Sequence, residues 1–165
     1  MHNIFLGTSK RIVQHVWMND NLPKLGIKQL RKIQNRIDST PLPVDMGYIN
    51  FKIASGFDTL TADQWKIWVL VYSIYVLYQF LDEADRRCWQ AFVTAVSIWS
   101  QRIITEVEIE AGHAAMMAFL QYAEQIYGRN FCSPNMHLHK HLQECMIDYC
   151  PWYLFWCFAY EHYNG

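Results

Sequence analysis

The densest group of side chains that could bind a metal lies in a histidine-rich segment of the C-terminal third. On an α-helix His137 and His141 lie four residues apart on one face, and Cys145 continues that face one turn later. Two imidazoles and a thiolate at this spacing can ligate zinc. The alternative is that these side chains only pack and hydrogen-bond between helices, since no second ligand-rich segment accompanies them. Zinc binding by these three residues is therefore the weakest functional hypothesis.

The carboxylates form no obvious catalytic group. Glu106, Glu108 and Glu110 alternate, so on a helix they spread around the axis, and their charge suits a helix N-terminus. The sequence has no glycine-rich phosphate loop, no G-x-S-x-G and no H-E-x-x-H. Glu161 stands alone in an aromatic stretch. From the residues alone we expect it to be a helix-surface side chain that reaches water.

Positive charge is concentrated in the first third of the chain. Through Lys52 there are eight Lys/Arg against three Asp, and the remainder has six Lys/Arg against twelve Asp/Glu. The basic segment consists of Lys24, Lys28, Arg31, Lys32 and Arg36. The last four share one face of a predicted helix, which could contact DNA phosphates. The alternative is a charged face that meets only water.

Six short motifs occur in order along the chain. They are His2-Asn-Ile-Phe-Leu-Gly-Thr-Ser-Lys10, Thr61-Ala-Asp-Gln-Trp-Lys66, Asn135-Met-His-Leu-His-Lys-His-Leu142, Asp148-Tyr-Cys-Pro151, Phe155-Trp-Cys-Phe158 and Glu161-His-Tyr-Asn-Gly165. Together they resemble the C-terminal half of CACTA-type (En/Spm-like) DNA transposases, over essentially the whole chain and with similar spacing.

The resemblance implies a ribonuclease-H-like transposase core in which two aspartates and one glutamate hold paired magnesium or manganese ions. Glu161 matches the third acid, and His2 matches a residue that helps to position the second. We expect the chain to begin just after the second aspartate, so that both aspartates are absent and no cofactor is expected for this chain alone. The implied function is a transposon-derived fragment, with DNA as its partner, that is not competent for strand transfer alone.

Three departures from the family pattern are typical of a decayed or repurposed copy. The family usually reads Gly-Arg-Ile-Pro-Arg-Lys-Ile where Tyr48 and Phe51 here replace two basic residues, which weakens the expectation of phosphate contacts there. The usual Tyr-Gly-Pro has Cys150 in place of glycine, and the usual Glu-Arg has His162 in place of arginine. The alternative function is a non-catalytic helical module that self-associates or binds a missing transposase domain.

Helical periodicity runs through most of the chain and must position these side chains. Thr61 with Gln64 and Thr105 with Glu108 form capping boxes that start helices. The spacing predicts helices near residues 2–18, 26–38, 61–81, 83–104, 106–127, 134–149 and 151–163. A long irregular connection covers 38–60, with a weak strand signal near 48–53. We predict an all-α fold, with about seven helices around one core in a single domain over residues 1–165. The resemblance to CACTA-type transposases implies that this fold corresponds to the helical region of the transposase core together with the helix that carries the third acid.

Composition limits the class of protein. A hydrophobic content of 52% excludes a disordered chain. The five cysteines form no C-x-x-C pair and no secretory signal precedes them, so we expect a reduced, nuclear or cytoplasmic protein. The apolar run 67–81 is shorter than the ~20 residues that span a bilayer. We therefore predict a buried core helix there and no membrane association.

Self-association is predicted from the loss of packing partners that a fragment would suffer. We expect an exposed apolar patch around Ile4, Phe5 and Val13 of the first helix. We expect another on the last helix, around Trp152, Phe155, Trp156 and Phe158.

Overall fold

The computed structural model describes residues 3–19, 23–40 and 52–149. They fall into two compact units, one within His2–Arg86 and the other within Arg87–Gly165. The described residues are helical or irregular and include no strand, so the all-α prediction is confirmed for this part of the chain. The single-domain prediction is not tested by this division and stays a prediction.

The helical segments of the first unit lie close to the predicted positions. Helix α1 covers residues 3–17 and consists of Asn3–Ser9, Lys10–Ile12 and Val13–Trp17. Helix α2 is Ile27–Ser39, a 3₁₀ turn follows at Ile53–Ser55, and α3 covers residues 62–77 as Ala62–Ile67, Trp68–Tyr72 and Ser73–Leu77. Helix α1 is wound as π-helix in its first and last parts. The middle of α3 is also π-helical, and there the Ser73 N–H donates to the Trp68 carbonyl five residues earlier.

Helix α1 is packed into its unit rather than left open. Ile4, Phe5 and Val13 are all buried. The predicted exposed patch around these three residues is therefore wrong, because the apolar side of α1 already has a packing surface within the chain.

Helix α3 has two different faces. Thr61 caps it, since its side chain accepts a hydrogen bond from the Gln64 N–H and the Gln64 side chain bonds back to the Thr61 N–H. On the inner face Trp65 and Trp68 pack against Phe57, with ring centroids 5.3 and 4.9 Å away. The outer face exposes large side chains, namely Val71, Ile74, Tyr75 and Tyr78. The prediction of a buried core helix over 67–81 is therefore wrong on one face.

The second unit is built on a long helix pair. Helix α4 is Glu83–Trp99, of which residues 87–99 belong to this unit. Helix α5 is Glu106–Tyr127, and a 3₁₀ turn follows at Arg129–Phe131. Helix α6 covers residues 134–149 and consists of Pro134–Leu138, the 3₁₀ turn His139–His141 and Leu142–Tyr149. Helix α4 ends at Trp99, before the predicted residue 104. Thr105 is extended and caps α5 with its side chain.

The core of this unit contains one unusually close helix approach. Phe92 of α4 and Phe119 of α5 pack with ring centroids 5.0 Å apart. Near the end of α4, Trp99 lies directly against the backbone of Gly112, and its indole Nε1 donates to the Ile109 carbonyl at 3.3 Å. The absence of a side chain at Gly112 is what allows the indole to fit.

Several predictions fall outside the described residues. These are the helix over 151–163 with its apolar patch, most of the weak strand and much of the irregular connection. Within the described ranges, no helix combines the length and the apolar character needed to cross a membrane.

Candidate nucleic-acid interface

Helix α2 has an apolar face and an opposite basic face. Leu30, Ile33 and Ile37 are buried, at the spacing of a helix packed along one side. The exposed cations of the other face are Lys28, Arg31 and Lys32. They make no hydrogen bond or ion pair with the described residues. Three of the four predicted DNA-binding side chains are thus available to an anionic ligand.

The fourth predicted residue, Arg36, is held against α3. Its Nη2 donates to Gln79 Oε1 at 2.7 Å, and Nη1 donates to the Val76 carbonyl at 3.5 Å. The guanidinium carbon lies 5.6 Å from the Tyr75 ring centroid and 5.8 Å from that of Phe80, within the range of cation–π attraction. Arg36 is therefore half-buried at the edge of the basic face, with a fixed orientation.

A groove of about 400 Å³ lies beside Arg36. Its lining consists of Arg36, Ile74, Tyr75, Tyr78 and Gln79. Tyr75 and Tyr78 are 57% and 66% exposed, although neither was predicted as a site residue. The sequence signal was the three-residue spacing of Tyr72, Tyr75 and Tyr78 inside a mostly apolar run, which also suits a core helix.

Lys24 belongs to the basic segment in sequence but not in space. Its ammonium forms an ion pair with Asp82 at 2.8 Å and another with Asp85. Partial burial opposes the charged lysine, but the hydrogen bonds to both carboxylates raise its pKa above the usual 10.5. The Asp85 N–H and the Lys24 ammonium lower the pKa of Asp82. Lys24 therefore stabilises the fold and is not available for phosphate.

The predicted zinc ligands are only partly brought together. The rings of His137 and His141 have centroids 5.8 Å apart, and His141 Nδ1 lies 3.2 Å from Glu144 Oε2. Cys145 is a half-buried free thiol. Nowhere in the described ranges do three His, Cys, Asp or Glu side chains group closely enough to hold a metal ion. The 3₁₀ turn His139–His141 changes the helical phase that the prediction assumed, and zinc binding stays a prediction.

That 3₁₀ turn instead buries a different histidine. His139 is 2% exposed, and neither ring nitrogen has a hydrogen-bond partner among the described residues. Burial lowers its pKa from 6.5 to about 4, because the charged imidazolium would lose its hydration. His139 is therefore a neutral packing residue at neutral pH.

The two residues to which the resemblance assigns catalytic roles cannot be placed. Glu161 and His2 both lie outside the described residues. The candidate site within the described ranges is therefore the basic face of α2 with the groove beside it.

No protein-family model matches the chain, and no curated protein or solved structure matches it significantly.

Proposed function

We propose that the chain is a transposon-derived fragment of a DDE-type DNA transposase that binds DNA phosphates through α2 and does not carry out strand transfer alone. The origin is supported by the six motifs that resemble CACTA-type transposases. DNA binding is supported by one observation in particular. Lys28, Arg31 and Lys32 project from one face of α2 without partners among the described residues.

Free cations of this kind suit a polyanion. A lysine already paired with a carboxylate would have to break that pair before it met a phosphate, as Lys24 would. The three cations of α2 have no such cost, and each phosphate they neutralise releases condensed counterions from the DNA. Binding should be weak and should fall steeply as salt is raised.

The test reverses two adjacent charges. Arg31→Glu with Lys32→Glu should abolish binding of a labelled DNA duplex at low salt, measured by fluorescence anisotropy. The matched control is Arg102→Glu with Lys140→Glu, which makes the same change in net charge at two exposed cations of the second unit and should retain most of the binding. With the neutral pair Arg31→Gln and Lys32→Gln, the slope of log K against log salt should become shallower by about 1.8. Binding that is unchanged by the reversal would exclude α2 as the contact.

The absence of strand transfer is proposed from the resemblance alone, since its pattern places only the third acid, Glu161, in this chain. We expect no nicking or joining of DNA in the presence of magnesium or manganese. Robust cleavage that disappears in Glu161→Gln would overturn the fragment hypothesis.

A second candidate function is a non-catalytic interaction module that self-associates. It is favoured by large apolar side chains that remain exposed in the second unit, including Ile103, Val107, Ile147 and Tyr149. Light scattering at increasing protein concentration tests it, and a concentration-dependent oligomer without any DNA binding would favour this candidate over the first.

A further inference from the structure

The outer face of α3 carries an exposed stripe that the other described residues do not cover. Val71, Ile74, Tyr75 and Tyr78 have the helical spacing i, i+3, i+4 and i+7 and are all exposed. In the same helix Trp68 and Val76 are fully buried, so the core is packed from the opposite side. The stripe ends in two tyrosines whose rings are mostly open to solvent.

Both tyrosines lie under arginines. The Arg36 guanidinium lies 5.6 Å from the Tyr75 centroid, and the Arg86 guanidinium lies 5.0 Å from the Tyr78 centroid. Arg86 is fixed by donating from Nη1 to the Tyr78 and Leu81 carbonyls at 3.2 and 3.1 Å. The groove is therefore lined by both aromatic rings and by one cation of fixed orientation, Arg36, while Arg86 contacts the Tyr78 ring without lining the groove.

The charge of the groove favours a nucleic acid over a protein helix. Among the described residues no carboxylate lines it, and Arg36 joins it to the cations of α2. Lys28, Lys32 and Arg36 follow one another at four-residue steps, a rise of about 6 Å per step along the helix. A backbone of phosphates that follows this row leads directly into the groove, where flat rings are exposed.

We infer that Tyr75 and Tyr78 form a stacking platform for unpaired nucleotide bases, so that the preferred ligand is single-stranded or locally unpaired DNA. In a duplex the base faces are hidden in the stack, and only an unpaired base can lie on an exposed tyrosine while its phosphates meet Lys32 and Arg36. Aromatic stacking together with a basic track is the general physical solution for binding single strands. This inference rests on the proposed DNA binding and specifies its substrate.

The experiment compares two DNA forms and three replacements in the full chain. The probes are an oligothymidylate of about 20 nucleotides, longer than a typical single-strand site, and a duplex of the same length. Tyr75→Leu and Tyr78→Leu should each weaken oligothymidylate binding about 5- to 100-fold. Each should change duplex binding by less than about 2-fold, since stacking needs an unpaired base. Tyr75→Phe should retain binding, because the ring is kept. Tyr149→Leu is the matched control at another exposed tyrosine, and circular dichroism confirms that each variant is folded.

The outcomes separate this inference from the proposed function. Equal or tighter binding of the duplex, or oligothymidylate binding that is unchanged in both leucine variants, overturns the platform but leaves phosphate binding by α2 intact. Absence of binding to either probe at low salt overturns both. Leucine variants that leave DNA binding unchanged and abolish an oligomer seen by light scattering identify the stripe as a protein interface instead.

Discussion

The close approach of Trp99 to Gly112 gives a prediction whose magnitude can be worked out. A Cβ added at Gly112 would lie 2.6 Å from Trp99 Cδ1 and 2.9 Å from Cε2, and closer still to Nε1. Carbon atoms pack best about 3.5–4.0 Å apart. Trp99 is 0% exposed, so its ring cannot swing into solvent, and either α5 or the ring must shift within the core.

Two opposing effects set the sign for Gly112→Ala. Alanine favours the helix over glycine by about 1 kcal/mol. Overpacking costs about 1–3 kcal/mol, and a shift also weakens the Trp99 to Ile109 hydrogen bond, which contributes about 1 kcal/mol. The clash is the larger effect. We expect a net destabilisation of roughly 1–3 kcal/mol, measured by urea denaturation followed by circular dichroism.

A double-mutant cycle isolates the clash. Trp99→Leu removes the indole, so Gly112→Ala in that background should be neutral or stabilising by up to about 1 kcal/mol. The coupling free energy should therefore be about 1–4 kcal/mol. Ala111→Gly, at an exposed position of the same helix, measures helix propensity alone and should cost about 1 kcal/mol. The reasoning fails if Gly112→Ala stabilises the wild type, or if it has the same effect with and without Trp99.

Two further predictions concern buried ionisable groups. Lys24→Met should cost about 2–4 kcal/mol, because it removes a cation from the Asp85 carboxylate, which is 0% exposed. Asp82→Asn should lower the unfolding free energy by less than about 1 kcal/mol, since Asp82 is exposed. If urea denaturation gave the same loss for Lys24→Met and Asp82→Asn, Asp85 would have no special role. For His139 the folded-state pKa of about 4 lies below the unfolded 6.5, so the unfolded chain takes up the proton first and stability falls as pH drops through this range. The unfolding free energy of His139→Leu, relative to that of the wild type, should therefore rise by about 3 kcal/mol as the pH is lowered from 7 to 4. A difference between the two unfolding free energies that does not change with pH would contradict the burial of His139.

The local signals in the sequence were sufficient to place the helices of the described residues, apart from the end of α4. The capping boxes at Thr61 and Thr105 form as predicted, and Ser133 caps α6 with Pro134 in its first turn. These signals succeed because a cap is made between residues three positions apart, and helical periodicity depends on near neighbours. The all-α character of the part of the chain that the structure describes follows from the same local interactions.

Tertiary structure decided which side chains of those helices are available. Lys24 and Lys28 are equivalent in the sequence pattern, but only Lys24 meets the distant carboxylates of Asp82 and Asp85. Tyr72 and Tyr75 belong to one apolar run, yet Tyr72 is buried and Tyr75 is exposed beside Arg36. Periodicity fixes the angle between two side chains on a helix, but it does not say which side another segment will cover. That choice is made by contacts between residues far apart in the chain, and it sets both the free cations of α2 and the open rings of α3.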